Sequence, residues 1–150
     1  MSRRWRPQPI RDVADGLILF DGVCVLCSRW VRFVIERDRA ADFRFAAMQR
    51  RYGRVLAERL GIDPRNPETN AVIIGGRAYF KSEAALRVVA RLPGWSWVRA
   101  LSIVPRPLRD HVYDLIARNR YRYFGKLDSC LVPSSDIAGR FVADDASDRA

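Results

Sequence analysis

The 150-residue chain has few of the cysteine and histidine residues that small domains stabilised by disulfides or metal ions require. It contains three cysteines, one histidine and only two lysines among its 27 basic residues. Three cysteines are too few for a disulfide scaffold. The 49% hydrophobic content is ordinary for a globular protein, so a disordered chain is excluded, and one domain of this length can bury a full core.

The chain also lacks long apolar runs. Segments such as 17–20 and 71–74 fall far short of the roughly 18 residues that a transmembrane helix needs. Three arginines near the N-terminus resemble the start of a signal peptide, but Pro7, Pro9 and acidic residues follow them instead of an apolar region. We therefore expect a cytoplasmic protein whose thiols are kept reduced.

The net charge of +10 attracts nucleic acid, anionic lipid or acidic partners. The arginines are spread along the chain, and the densest group alternates with aromatic residues: Arg118, Arg120, Tyr121, Arg122, Tyr123 and Phe124. Such alternation can bind single-stranded nucleic acid, whereas a solvated helix face is the more common explanation. Because no nucleic-acid motif accompanies the charge, a binding module for nucleic acid or an acidic protein is kept only as an alternative function.

Hydrophobic periodicity predicts an alternating order of strands and helices. The predicted elements are a strand at 17–20, a helix at 24–37, a strand at 43–45, a helix at 50–60, a hairpin of 71–74 and 78–80, a helix capped by Ser82, a short helix within 95–104 and a helix at 108–120. Residues 1–15 are predicted to be a flexible lead-in, and residues 134–150 a weakly structured tail. A helix that joins two strands favours a parallel crossover, to which the hairpin adds an antiparallel pair. This order predicts an α/β fold of the thioredoxin-like kind, a mixed sheet with helices on both faces and extra C-terminal helices.

An apolar stripe formed by Trp95, Trp97, Leu101 and Val104 lies among arginines. Packing into the core is the more frequent role of such a stripe. A basic amphipathic helix can also lie on a membrane surface, so peripheral membrane contact is the less favoured alternative.

The segment 21–27 reads Asp-Gly-Val-Cys-Val-Leu-Cys and places a Cys-x-x-Cys pair between the first strand and the first helix. A helix N-terminus presents free N–H groups and a partial positive charge, and both stabilise a thiolate. We therefore predict that Cys24, expected to be the more exposed thiol, has a lowered pKa and attacks disulfides. Cys27 lies one turn further on and is expected to be more buried, where it can resolve a mixed disulfide. Two inert, buried thiols are the alternative.

Asp21 lies three residues before Cys24 at the end of the first strand. Its carboxylate could cap the helix, or it could exchange a proton with Cys27 if burial raises its pKa. Both roles place Asp21 among the predicted catalytic residues.

A zinc site is the other chemistry open to these thiols. Cys24, Cys27, Cys130 and His111 could form a Cys₃His set, although the chain has only one Cys-x-x-Cys pair. We favour a structural or auxiliary role for Cys130. No organic cofactor is predicted, because no glycine-rich dinucleotide fingerprint follows a strand and the glycine pair at 75–76 lies in the hairpin.

The motif Asp21-Gly22-x-Cys24-x-x-Cys27 after an apolar strand resembles the signature of the DCC family of predicted thiol-disulfide oxidoreductases. The resemblance continues through 43–49, the hairpin, 117–121 and 125–126 to Cys130, and so covers roughly residues 16–133. It implies a thioredoxin-like domain over 16–133, disulfide exchange with a protein or small-molecule thiol, and Asp21, Cys24 and Cys27 as motif residues. Thioredoxins have a cis-proline before the hairpin, where this chain has Thr69-Asn70, which puts thioredoxin-like peptide binding in doubt.

Overall fold

In the computed structural model, the described residues are 7–11, 13, 15–22, 24–38, 42–64 and 69–123. The strands are β1 (Gln8–Pro9), β2 (Leu17–Phe20), β3 (Arg44–Ala47), β4 (Ala71–Ile74) and β5 (Arg77–Phe80). The helices are α1 (Val25–Arg37), α2 (Arg51–Arg59), α3 (Lys81–Ala90), a 3₁₀ helix (Ser96–Ile103) and α4 (Arg106–Tyr123).

The five strands form one mixed sheet in the order β1-β5-β4-β2-β3. Strands β2 and β3 are parallel, with Leu17 opposite Arg44, and α1 connects them. The other three pairs are antiparallel. The β4–β5 hairpin turns through Gly75 and Gly76, whose φ angles of 61° and 78° are the left-handed values that a two-residue type I′ turn requires. The predicted thioredoxin-like arrangement is confirmed.

The strands bury both faces of the sheet because their side chains alternate between two cores. Ile18 and Phe20 of β2 pack with α1 and α3, whereas Leu17 and Leu19 pack with α2 on the opposite face. The first core contains Cys24, Cys27, Val31, Val34, Val72, Ala84 and Val88, and the second contains Met48, Leu56, Ala57, Ile73 and Phe80. The two cysteines therefore belong to the core beneath α1 and α3.

Most predicted boundaries shift by a few residues, and two differences, at the start of α3 and in the N-terminal segment, have a physical reason. Helix α3 begins at Lys81 with Phe80 at the N-cap, so Ser82 is not the cap. Its hydroxyl instead donates a 2.5 Å hydrogen bond to Oδ1 of Asp110 in α4. In the segment predicted as a lead-in, Gln8 and Pro9 form β1, a two-residue edge strand too short to produce a sequence pattern. Proline has no backbone N–H to donate, and it is tolerated in an edge strand because one side of that strand makes no hydrogen bonds to a neighbouring strand.

The apolar stripe of the 3₁₀ helix packs only in part. Trp95 contacts Phe33 edge-on at a centroid distance of 5.3 Å, and Val98 is buried. Trp97 and Leu101, however, are 62% and 44% exposed, so the predicted core role is wrong for these two residues. The short 3₁₀ helix packs on α3 through one side only. Val98 lies on that side, whereas Trp97 and Leu101 face outward.

Helix α4 is likewise exposed along Leu108, Val112 and Leu115, and Arg118 and Arg122 face solvent. Among the described residues, no helix is long and apolar enough to cross a bilayer. Binding to nucleic acid, an acidic partner or a membrane surface stays a prediction, as do the cytoplasmic location and the domain limits at 16 and 133.

Helix α2 approaches the end of β3 through Gly53. A Cβ atom added at Gly53 would lie 2.0 Å from the carbonyl oxygen of Ala47, and backbone cannot yield there as a side chain can. Helix propensity alone predicts that Gly53→Ala gains about 1 kcal/mol. We expect the clash to dominate and the variant to lose about 2 kcal/mol of unfolding free energy, measured by urea denaturation.

Arg54→Ala is the matched control, because the next position of the same helix is exposed. It should leave the unfolding free energy within about 0.5 kcal/mol of the native protein. A Gly53→Ala protein as stable as the native one would contradict this packing of α2 on β3.

Candidate active site

The candidate site lies at one edge of the sheet, where β2, β3 and β5 end and β4 begins. Because β4 is antiparallel to β2 and β5, its first residue Ala71 is opposite both Leu19 and Phe80. The segments that follow β2, β3 and β5 therefore meet the segment that precedes β4. This meeting brings together residues that are far apart in the sequence.

Cys24 is the N-cap of α1. Its backbone is extended, with φ −84° and ψ 124°, and its Sγ accepts a hydrogen bond from the backbone N–H of Cys27 at 3.4 Å. The Ser28 hydroxyl donates to the Cys24 carbonyl at 3.0 Å. The hydrogen bond from the Cys27 N–H and the positive end of the helix dipole both favour a negative charge on Sγ of Cys24.

Cys27 lies one turn further along α1, beside Cys24. The pKa of the Cys27 thiol is held well above its usual value, first by its hydrogen bond to Cys24, then by burial and by the negative charges of Cys24 and Asp21. The Asn70 side chain opposes this rise. When the pair carries a single negative charge, these interactions favour the proton on Cys27 and the charge on Cys24.

The exposure of the two thiols is the reverse of the prediction. Cys24 is 0% exposed and Cys27 is 7% exposed. An N-cap side chain folds back over the first helical turn, and for Cys24 that direction leads into the core shared with α1 and α3. Cys27 borders a cavity instead. A reagent can therefore reach the Cys24 sulfur only after a local opening of the fold.

Asp21 is buried at 1% exposure directly after β2. Its Oδ1 accepts a 2.7 Å hydrogen bond from Nε2 of Gln49, whose Oε1 accepts from the Gly22 backbone N–H at 2.7 Å. Its backbone carbonyl accepts from the N–H of Cys24 at 3.2 Å. The helix cap is thus Cys24, while Asp21 supplies a negative charge that acts on Cys27.

A cavity of about 220 Å³ opens beside Cys27. Helices α1, α3 and α4 and the start of β4 provide its walls, which are mostly apolar. Its polar members are Asp21, Cys27, Asn70, Lys81, Thr69 and Tyr113. Of the two cysteines that the structure describes, Cys27 is the one that lines this cavity.

Lys81 was missed by the sequence analysis. It is 2% exposed, and its Nζ pairs with Oδ1 of Asp114 in α4 at 2.6 Å. Its φ of 53° is the one positive value at a non-glycine residue in the described part of the chain. Such left-handed strain costs of order 1–3 kcal/mol and concentrates at functional sites. The available signal was that one of only two lysines directly follows an apolar strand.

Asn70 and Gln49 were also not predicted as site residues. The Asn70 side-chain amide lies 3.8 Å from Sγ of Cys27, and its backbone N–H donates to the Tyr113 hydroxyl at 3.0 Å. Asn70 thus lies beside Cys27 in the segment where thioredoxins have proline. Gln49 follows β3, the parallel neighbour of β2, so strand order alone could have placed it beside Asp21.

The zinc alternative gains no support where the structure describes the chain. No three histidine, cysteine or acidic side chains there are grouped so that they could hold a metal ion. His111 is exposed on α4. Cys130, the remaining member of the predicted set, lies outside the described residues.

The sheet, the capping cysteine and its neighbouring thiol define a thioredoxin-like domain with a dithiol at the first helix. The sequence profile of the DCC1-like thiol-disulfide oxidoreductase family matches residues 18–126, and the chain belongs to that family. No solved structure matches it.

Two relatives illustrate the family. The uncharacterized protein YuxK of Bacillus subtilis (strain 168) is 38% identical over 132 residues, which cover 87% of this chain and 96% of that protein. A chloroplastic DCC family protein of Arabidopsis thaliana is 39% identical over 116 residues, 76% of this chain and 67% of that protein. The family supports a thiol-disulfide oxidoreductase role.

The order of the interactions at Cys27 predicts how substitutions change its pKa. Cys24→Ala removes the largest contribution and should lower the pKa of Cys27 most. Asp21→Asn removes one negative charge and should lower it by less. The measurement is the pH dependence of Cys27 alkylation, followed by mass spectrometry.

Asp38→Asn is the control for this experiment. Asp38 is also a buried carboxylate, but it caps the opposite end of α1 and accepts from the N–H groups of Asp42 and Phe43. It should leave the pKa of Cys27 unchanged. An unchanged pKa in Asp21→Asn as well would remove Asp21 from the site.

The Lys81–Asp114 pair predicts an asymmetric effect on stability. Asp114→Asn removes a carboxylate from the buried ammonium of Lys81, whereas Lys81→Met removes the buried charge itself. We expect Asp114→Asn to cost about 2–3 kcal/mol of unfolding free energy, below the full cost of a wholly buried pair because Asp114 is partly exposed. Lys81→Met should cost less in the same urea titration, and the reverse order would contradict this assignment.

Proposed function

We propose that this protein exchanges dithiols and disulfides, with Cys24 as the attacking sulfur and Cys27 as the resolving thiol. The observation that carries the proposal is the hydrogen bond from the N–H of Cys27 to Sγ of Cys24 at 3.4 Å. It stabilises charge on one sulfur while the neighbouring sulfur keeps its proton.

In the first step, the Cys24 thiolate attacks a disulfide RS–SR. An S–S bond forms between Cys24 and one RS group, and the other leaves as a thiolate that takes a proton from solvent. In the second step, deprotonated Cys27 attacks Sγ of Cys24 and releases the second thiolate. The protein dithiol is oxidised to a disulfide, and the substrate is reduced to two thiols.

The environment of Cys27 orders these two steps. A free Cys24 thiolate holds the proton on Cys27, because the hydrogen bond to Cys24 and the charge of Cys24 both raise the Cys27 pKa. Once Cys24 is in a mixed disulfide it carries no charge, and its sulfur is a weaker acceptor. The pKa of Cys27 then falls, and the resolving thiolate forms more easily.

Asp21 completes the proposed site. Its negative charge keeps Cys27 protonated before the attack, and Asp21 lines the same cavity as Cys27. Through Gln49 it also holds the Gly22 backbone that leads into the capping cysteine. We propose that Asp21 accepts the proton of Cys27 in the second step.

Trapping of the mixed disulfide tests the assignment of the two thiols. All variants carry Cys130→Ser, so that adducts report only on the pair in α1. With bis(2-hydroxyethyl) disulfide, Cys27→Ser should accumulate one adduct on Cys24, because no resolving thiol remains. The native pair should pass through the adduct and end as the Cys24–Cys27 disulfide, both being read by mass spectrometry of the peptides.

Cys24→Ser is the matched comparison and should form adducts more slowly, because the remaining Cys27 sulfur accepts no hydrogen bond as the cap of α1 and its pKa is still raised by burial and by the charge of Asp21. Faster labelling of Cys24→Ser than of Cys27→Ser would reverse the two roles. Failure of both variants and of the native pair to react would contradict disulfide exchange.

A further inference from the structure

We infer that the cavity beside Cys27 binds a small, neutral, largely apolar thiol or disulfide. This inference rests on the proposed function and adds the substrate class. Leu26 and Trp30 of α1, Val88 of α3 and Ile116 of α4 supply apolar walls around the Cys27 sulfur. The ligand body would lie among these walls with its sulfur beside Cys27, and a local opening of the first turn of α1 would bring the Cys24 sulfur to it.

The size of the cavity sets an upper limit on the ligand. An apolar cavity of about 150 Å³ in another protein holds a benzene molecule. A volume of about 220 Å³ therefore suits a molecule up to about half as large again. A disulfide with two short alkyl groups fits this limit, whereas a folded peptide segment does not.

The charges that line the cavity already have partners. Lys81 pairs with Asp114 at 2.6 Å, and the Asp21 carboxylate accepts from Gln49 at 2.7 Å. An anionic ligand would face Asp21 and the developing thiolate, and a cationic ligand would face Lys81. Because apolar surface dominates the remaining wall, a neutral ligand body loses least on leaving water.

The backbone at the cavity does not favour a peptide ligand. A peptide that adds to a sheet needs free N–H and C=O groups on the receptor. At Asn70 the N–H donates to Tyr113 at 3.0 Å, and the C=O accepts from the Thr69 hydroxyl at 2.6 Å. Strand β4 is also internal, paired on both sides by β2 and β5. A small molecule needs none of these groups.

The chemistry is the same thiol-disulfide exchange, with an alkyl group as R. Dipropyl disulfide oxidises the Cys24–Cys27 dithiol to its disulfide and is itself reduced to two molecules of propanethiol. The protons that the two thiols lose appear on the propanethiol, so no further oxidant or reductant takes part.

A series of disulfides of similar length tests the inference. Dipropyl disulfide is compared with neutral polar bis(2-hydroxyethyl) disulfide, cationic cystamine and anionic 3,3′-dithiodipropionate. Each rate of Cys24–Cys27 oxidation is divided by the rate with the same protein unfolded in urea, which removes differences in intrinsic reactivity. We expect the normalised rate for dipropyl disulfide to exceed each of the others by about tenfold or more.

Filling the cavity should abolish this preference. Ala85 lines the cavity from α3, and Ala85→Phe should reduce the normalised rate for dipropyl disulfide to that of the polar compounds. Ala90→Phe is the matched control, because Ala90 is a half-buried alanine of the same helix outside the cavity lining. Equal normalised rates across the series in the native protein overturn the inference without any variant.

A binding measurement separates this inference from the proposed function. Dipropyl sulfide cannot exchange, so its binding is followed through the Trp30 indole resonance in Cys24→Ser. Saturable binding that Ala85→Phe removes would support the apolar site even if no disulfide reacts with the native protein. If the native protein exchanges disulfides but shows no preference for the apolar one and does not bind dipropyl sulfide, the proposed function stands and the cavity inference is overturned.

Discussion

The hydrogen bond from the Cys27 N–H to Sγ of Cys24 is the contact on which the rest of the site depends. It satisfies one of the free N–H groups at the start of α1, as a serine or aspartate does in other helices. In the proposed exchange the acceptor is also the nucleophile, so the cap of the helix and the chemistry share one atom. The same contact places the second thiol one turn away, close enough to share a proton.

The sheet supplies the surroundings that this contact needs. Parallel β2 and β3 bring Asp21 and Gln49 to one edge, and antiparallel β4 brings Asn70 to the same edge. The strained residue Lys81 begins α3 there and joins it to α4 through Asp114. Helix α4, whose apolar residues are mostly exposed, is therefore attached to the domain near the site largely by polar contacts.

Much of this fold was predictable because its signals are local. Four-residue apolar runs predicted β2 and β4, an alternating segment predicted β3, and the second half of the hairpin predicted β5. Helical spacing predicted α1 to α4, and a dithiol between strand and helix indicated the candidate site. The N-cap of α3 was misplaced by two residues, from Phe80 to Ser82, because the Ser82 hydroxyl is engaged by Asp110, 28 residues away. Local capping rules do not contain such a contact.

The candidate residues Asp21, Cys24 and Cys27 could be singled out from the sequence, but their geometry and their neighbours could not. The exposure of Cys24 and Cys27 depends on the direction of an N-cap side chain relative to the core, which the motif does not specify. The partners of Asp21, Cys27 and Lys81 lie 28, 43 and 33 residues away and become neighbours only once the strand order is fixed. The exposure of Trp97 arises similarly, because an apolar stripe does not reveal which of its members face outward.

The central claim is that Cys24 and Cys27 form a reversible redox couple. Equilibration of the folded protein with buffers of increasing oxidised-to-reduced dithiothreitol ratio tests it most directly, with the Cys24–Cys27 disulfide quantified by peptide mass spectrometry. The account predicts a single two-electron transition, with both thiols lost together and recovered on reversal. Thiols that stay reduced throughout, or that oxidise independently of each other, would contradict it.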